Sequence, residues 1–169
     1  MLAANLMAQS KSEMDSFRLT LPKVQSTVAA YVNLLELLAA DDALAAKFKA
    51  MKKTLPDTNG RDTLGLTVQK MAGVDARIPT AFAKAGITPK EASMTMECLV
   101  GVIFGSSMLE ATKTAPKNLP PFVAENLAFY DKNKAEVLAS FKRLQSVSEK
   151  AKDSLEDDEE REEQDSEQP

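Results

Sequence analysis

The stretch Glu-Cys-Leu-Val-Gly-Val-Ile-Phe-Gly-Ser-Ser-Met-Leu, residues Glu97 to Leu109, constrains this chain more than any other. From Cys98 to Leu109 the run is apolar or small for 12 residues, and Glu97 and Glu110 close its two ends. A bilayer crossing takes about 20 apolar residues, so the run by itself is too short to span a membrane. Its apolar side chains point around the whole helix axis: Met94 and Cys98 on one side, Leu99 and Ile103 on another, Val100 and Phe104 on a third. A helix that is apolar all round is buried all round. The expectation is therefore a central core helix wrapped by its neighbours.

The sequence around this run supplies the neighbours. Thr20 precedes an amphipathic stretch in which Val24, Val28, Tyr31, Val32, Leu35 and Leu38 recur at three- and four-residue steps, with Pro22 in the first turn. Asp41 or Asp42 caps a second helix that carries its lysines toward the C-terminal end. A loop by composition covers Thr54–Asp62, and a third helix follows with Leu64, Val68 and Met71 aligned and Gly73 at its end. Pro79 starts or kinks a fourth, with Gly86 placed as a C-terminal glycine. Thr88, Pro89 and Glu91 read as a capping box that opens the helix reaching Thr112. Beyond a proline-rich break come a short helix near Phe122–Lys132 and another opened by Asn133.

These signals predict an all-α fold: a single-domain bundle of five or six helices around a central helix at about 88–112. The bundle domain is expected over 17–150, between a flexible N-terminal segment at 1–16 and an acidic tail at 151–169. The residues from Glu149 to Pro169 hold 11 acidic and 3 basic side chains, net −8, which leaves the body at net +4. Such a tail has too little apolar surface to offset ordering and is expected to be disordered.

Composition narrows the chemistry. The chain has no His and one Cys. That removes His-based nucleophile pairs, His-ligated haem and Cys/His zinc sites, and it rules out an internal disulfide. No catalytic residue, metal site or cofactor is expected. Cys98 in its apolar setting is expected to be an inert thiol. Five methionines, Met51, Met71, Met94, Met96 and Met108, fall in predicted helices and suit core filling. No basic cluster with interleaved aromatics points to nucleic acid.

Glu97, Gly101 and Gly105 lie four residues apart on one face. Two readings stand side by side. The glycines let a neighbouring helix pack closely, or they open space beside Glu97 for a ligand. Tyr130, in Glu-Asn-Leu-Ala-Phe-Tyr, is a candidate for the mouth of such a pocket, with Asn126 capping backbone groups nearby. These four residues, Glu97, Gly101, Gly105 and Tyr130, are the candidate ligand-binding set. The partner is expected to be a protein surface or a small apolar molecule, and the sequence leaves the oligomeric state open. A second reading is a cytoplasmic adaptor regulated by its acidic tail.

The N-terminal Leu-Ala-Ala-Asn-Leu-Met-Ala-Gln has the look of the end of an export signal, with a polar switch after Ala8. A frayed helical turn explains it equally well. The segments Ala-Phe-Ala-Lys-Ala-Gly-Ile-Thr-Pro-Lys-Glu and Glu-Asn-Leu-Ala-Phe-Tyr-Asp-Lys-Asn-Lys-Ala-Glu-Val resemble a set of small all-helical bacterial proteins that often carry export signals. The resemblance covers roughly Phe17 to Leu144. It departs at Ala92 and Ser93, where that set has an aromatic residue. It implies an all-α fold and a periplasmic or secreted location, and it carries over no activity and no functional residue.

Overall fold

The computed structural model describes residues 16–55, 63–112 and 119–155. Every regular element among them is helical: α1 Leu21–Ala39, α2 Asp42–Lys53, α3 Thr63–Ala72, α4 Arg77–Ala83, α5 Pro89–Thr112 and α6 Pro121–Leu155. The all-α bundle is therefore the fold. The segment 1–15, the larger part of the loop expected at Thr54–Asp62 and the acidic residues 156–169 lie outside the described residues.

Local chemistry sets the helix ends. Thr20 adopts an extended backbone and accepts a hydrogen bond from the Lys23 amide at 3.4 Å, so it caps α1. Asp41 caps α2 by accepting from the Leu44 amide at 2.8 Å. Helix α4 closes with Gly86 at φ +74°, where the Gly86 amide donates to Ala83 O and the Ile87 amide to Phe82 O. That pair of bonds is a Schellman closure, and it requires the left-handed conformation glycine adopts without strain. At α5, Thr88 Oγ1 accepts from the Glu91 amide at 3.2 Å, while the Glu91 carboxylate sits 3.9 Å from Lys23 Nζ.

Two expectations about boundaries change. Helix α4 begins two residues before Pro79, and Ile78 is helical and fully buried. A proline in the first turn removes an N–H that has no intrahelical acceptor there, so the helix accommodates it. The two helices expected on either side of Asn133 are one long element with a kink. Asn133 has non-helical angles (φ −115°, ψ 19°), and its Nδ2 donates to Phe129 O at 2.7 Å. The asparagine side chain thus satisfies a carbonyl freed by the kink instead of capping a new N-terminus. Helix α6 also continues to Leu155, past the expected domain edge at 150.

The core has two lobes. One gathers Tyr31, Leu34, Leu44, Val68, Met71, Ile78 and Phe82, with the Tyr31 and Phe82 rings edge-on at 5.5 Å. The other gathers Val24, Leu99, Val102, Leu127, Tyr130 and Val137, and Phe141 packs against both. Helix α1 contributes to both lobes and touches α2, α4, α5 and α6, so α1 holds the centre of the bundle.

This overturns the expected placement of α5. Ala92, Leu99 and Val102 are buried, but Val100, Phe104 and Met108 are 57%, 66% and 49% exposed. Three of its neighbours, α1, α3 and α6, supply most of its packing, and no described element covers the Val100–Phe104–Met108 side. The apolar composition around the whole axis reflects two different surroundings, a core on one side and an open surface on the other. The stretch Pro89–Ala111 is also long and apolar enough to cross a membrane by length and composition, with less than half of its most apolar window buried in the fold. The 12-residue run had suggested otherwise, because small and hydroxyl residues extend the apolar stretch beyond it.

Away from the core, Arg77 binds Asp75 at 2.8 Å and also pairs with Asp41. Hydrogen bonds from the Arg77 side chain, then from its amide, hold the Asp75 carboxyl down at about 2. A depressed carboxyl stabilises the fold above the unfolded value near about 3.9. That stabilisation is lost as pH falls toward 2. Arg77→Met is expected to raise the Asp75 titration part of the way to the ordinary carboxylate range, because the residue 77 amide still donates to its Oδ1, and carboxyl-carbon NMR reads the change. An unmoved midpoint would assign the depression to another group.

Candidate functional site

An open groove of about 590 Å³ runs between α5 and the start of α6. Helix α5 supplies Glu97, Cys98, Gly101, Val102, Phe104, Gly105, Met108 and Leu109, and the chain after it supplies Leu119, Phe122, Val123, Asn126 and Leu127. The α5 residues that face it recur at helical steps: 97, 101, 104, 105 and 108 share one side of the helix. The same helix buries Ala92 and Leu99 on its other side, which fixes the rotation and presents this stripe outward.

The structure brings together three of the four expected site residues. Glu97, Gly101 and Gly105 line the groove. Tyr130 does not: it is 3% exposed within the second core lobe, so the pocket-mouth role is corrected to core packing. The lobe needs its ring where α5 and α6 meet.

The glycines resolve the paired readings given by their spacing. A Cβ added at Gly101 would meet no described atom within 4 Å, and one at Gly105 would lie 3.6 Å from Leu127 Cδ2, an ordinary contact. Among the described residues no helix backbone presses against Gly101. Close helix packing is therefore not what these glycines serve; they widen the floor of the groove. Gly101 is exposed and helical, so Gly101→Ala is expected to raise stability by about 0.5–1 kcal/mol. Denaturant unfolding checks this, and a loss of stability would show that something presses on that position.

Glu97 is exposed, at the end of the groove nearest Cys98. Among the described residues it is the one charged side chain in the lining. Cys98 is 8% exposed, and burial, followed by the Glu97 charge, pushes its thiol up to about 11. At neutral pH it is a protonated thiol and a poor nucleophile.

Asn126, also part of the lining, already has partners. Its Oδ1 accepts from the Leu19 amide at 2.9 Å, and its Nδ2 donates to Phe17 O at 3.0 Å. The expected capping role of Asn126 is thus realised on the segment that leads into α1. Arg18 adds an ion pair to Glu125 beside it. Phe104, Phe122 and Val123, which give the groove most of its apolar character, were missed by sequence reading. The signal was present in the alignment of Phe104 with Gly101 and Met108, but an apolar residue in an apolar helix reads as core.

A second, more polar hollow of about 470 Å³ lies beside Asn33, Glu36, Arg77 and Lys84. Its leading polar groups are engaged: Arg77 with Asp75 and Asp41, and Asn33 Nδ2 with Ala81 O at 3.0 Å. Among the described residues no group of three or more Cys, Asp or Glu side chains is placed to hold a metal ion.

The fold and groove together define an all-helical bundle with an open apolar cleft on one flank. No family model matches the chain, and no curated protein and no solved structure is similar to it at a significant level. The likeness of its Thr-Pro-Lys-Glu and Asn126 segments to bacterial helical proteins therefore assigns no family.

Proposed function

We propose that this chain is a non-enzymatic helical binding protein whose α5–α6 groove takes an apolar body carrying a neutral or cationic head. The observation that carries this reading is the groove itself: about 590 Å³, floored by Gly101 and Gly105, walled by exposed Phe104 and Met108, with the carboxylate of Glu97 at one end. Its size falls in the range of small-ligand sites, about 300–1,000 Å³. Full burial of a Phe or Met side chain is worth about 1.5–3 kcal/mol; Phe104 and Met108 are 66% and 49% exposed, and an apolar occupant recovers the corresponding share. An anionic head would meet Glu97 and is disfavoured there.

The chemistry of the lining supports binding over catalysis. Among the described residues the lining holds one carboxylate and no second charged acid or base, and a single group cannot divide acid and base roles. The neighbouring thiol is protonated at neutral pH.

Native mass spectrometry of the protein purified gently from its source tests the reading. Extra mass that leaves on denaturation, and that is lost in Phe104→Asp, is the expected result. Bound mass that survives the Phe104→Asp change would place the ligand elsewhere.

A further inference from the structure

The groove has a tethered candidate occupant. Asn126 belongs to its wall and, with both ends of its side-chain amide, holds the backbone of Phe17 and Leu19. Phe17 packs against the core lobe that includes the groove residues Cys98, Val102 and Leu127, as the groove residue Val123 does. The segment Met1–Asp15 therefore joins the described fold at the rim of the groove, and Ser16, the residue before Phe17, is helical.

Its composition suits the site. Leu2 and Leu6 lie four residues apart and Met7 and Met14 seven apart, both helical spacings. Lys11, the segment's one basic side chain, is opposite in charge to Glu97, and Glu13 and Asp15 are its two acidic side chains. Its reach suffices as well. Fifteen residues span about 22 Å as a helix, and the α5 wall from Glu97 to Leu109 spans about 18 Å. A short tether sets an effective concentration on the order of millimolar, so even modest complementarity fills the site.

We infer that residues Met1–Asp15 dock in the α5–α6 groove of the same molecule and must be displaced by an incoming ligand. The inference rests on the groove being a docking surface, as proposed above. The segment then acts as a built-in competitor, which sets a threshold that the ligand has to exceed.

The test uses the full chain with Ser10→Cys carrying a nitroxide, in a Cys98→Ala background. The expected result is loss of the amide signals of Gly101, Phe104 and Gly105, unchanged on dilution. Changing Leu2 and Leu6 to Asp in the same chain should restore those signals while circular dichroism keeps its helical content. The same double change should strengthen binding of the neutral dye N-phenylnaphthylamine by about tenfold or more, as expected when a tethered competitor is removed. Signals that stay intact in the labelled chain would overturn the inference. So would broadening that appears only between labelled and unlabelled molecules, which would make a second copy the occupant. A native chain that begins at Gln9 would overturn it too, because Leu2 and Leu6 would be gone. Dye that binds with no broadening leaves the groove as a ligand site and ends the inference. Broadening without dye binding to either chain keeps the docked segment and ends the ligand reading.

Discussion

Phe82→Ala is expected to lower the unfolding free energy by about 3–5 kcal/mol. Phe82 is fully buried between α4 and α1, and its ring meets Tyr31 edge-on at 5.5 Å and 76°. Truncation removes the transfer energy of a whole ring and leaves a cavity lined by Tyr31 and Ile78, side chains that α1 and α4 hold in place. Domains of this kind are stable by about 5–15 kcal/mol, so the change consumes a large part of the total. Phe104→Ala is the matched comparison, with both changes made in the Leu2→Asp/Leu6→Asp chain so that no docked segment covers the ring. That ring is 66% exposed, and a surface change of this type moves stability by about 0.5 kcal/mol or less. Urea unfolding of the two variants checks both values. Equal costs would mean that Phe104 is covered, and that the groove is closed in the folded protein.

Phe104→Asp is expected to act on binding and leave the fold alone. The ring forms the outer wall of the groove opposite Phe122 and Val123. Its loss removes the largest apolar contact available to a ligand, and the new carboxylate stands one helical turn from Gly101 and two from Glu97. Anchors of this kind carry about 2 kcal/mol or more, so affinity for N-phenylnaphthylamine is expected to fall about 30-fold. The melting temperature should stay close to that of the parent chain, because the side chain makes little of its contact with the core. A fall in affinity matched by a fall in stability would instead make Phe104 a structural residue.

The helical plan was legible because helix ends are written in short-range chemistry. Thr20, Asp41 and Thr88 cap through their own side chains, and Gly86 supplies a left-handed residue, so three or four positions suffice to place each boundary. Asn133 shows the limit. Its departure from helical geometry was readable, but an N-cap and a kink use the same residue type. The difference lies in whether the helix axis continues, which the packing of Tyr130 and Val137 into one core lobe decides.

The site was half legible. Glu97, Gly101 and Gly105 stood out because a carboxylate and two glycines are unusual in an apolar helix. That the glycines open space beside Glu97 was one of two readings, and the sequence could not choose between them, because the choice depends on what fails to pack against Gly101 and Gly105. Tyr130 was misplaced for the converse reason: an aromatic with a hydroxyl suits a rim as well as a core, and only the crossing of α5 and α6 buries it. The apolar run itself carried the same ambiguity. Leu99 and Phe104 are alike in composition, yet one is fully buried and the other 66% exposed, since the number and length of the neighbouring helices decide which face is left open.

The central claim is that the open face of α5 is a binding site. A titration of the isotope-labelled chain with N-phenylnaphthylamine, followed by amide NMR, tests it most directly. Saturable shifts centred on Gly101, Phe104, Gly105 and Val123, with Tyr31 and Phe82 unmoved, are the predicted result. Shifts centred on Asn33 and Lys84, or no saturable shift in either the parent chain or its Leu2→Asp/Leu6→Asp form, would contradict it.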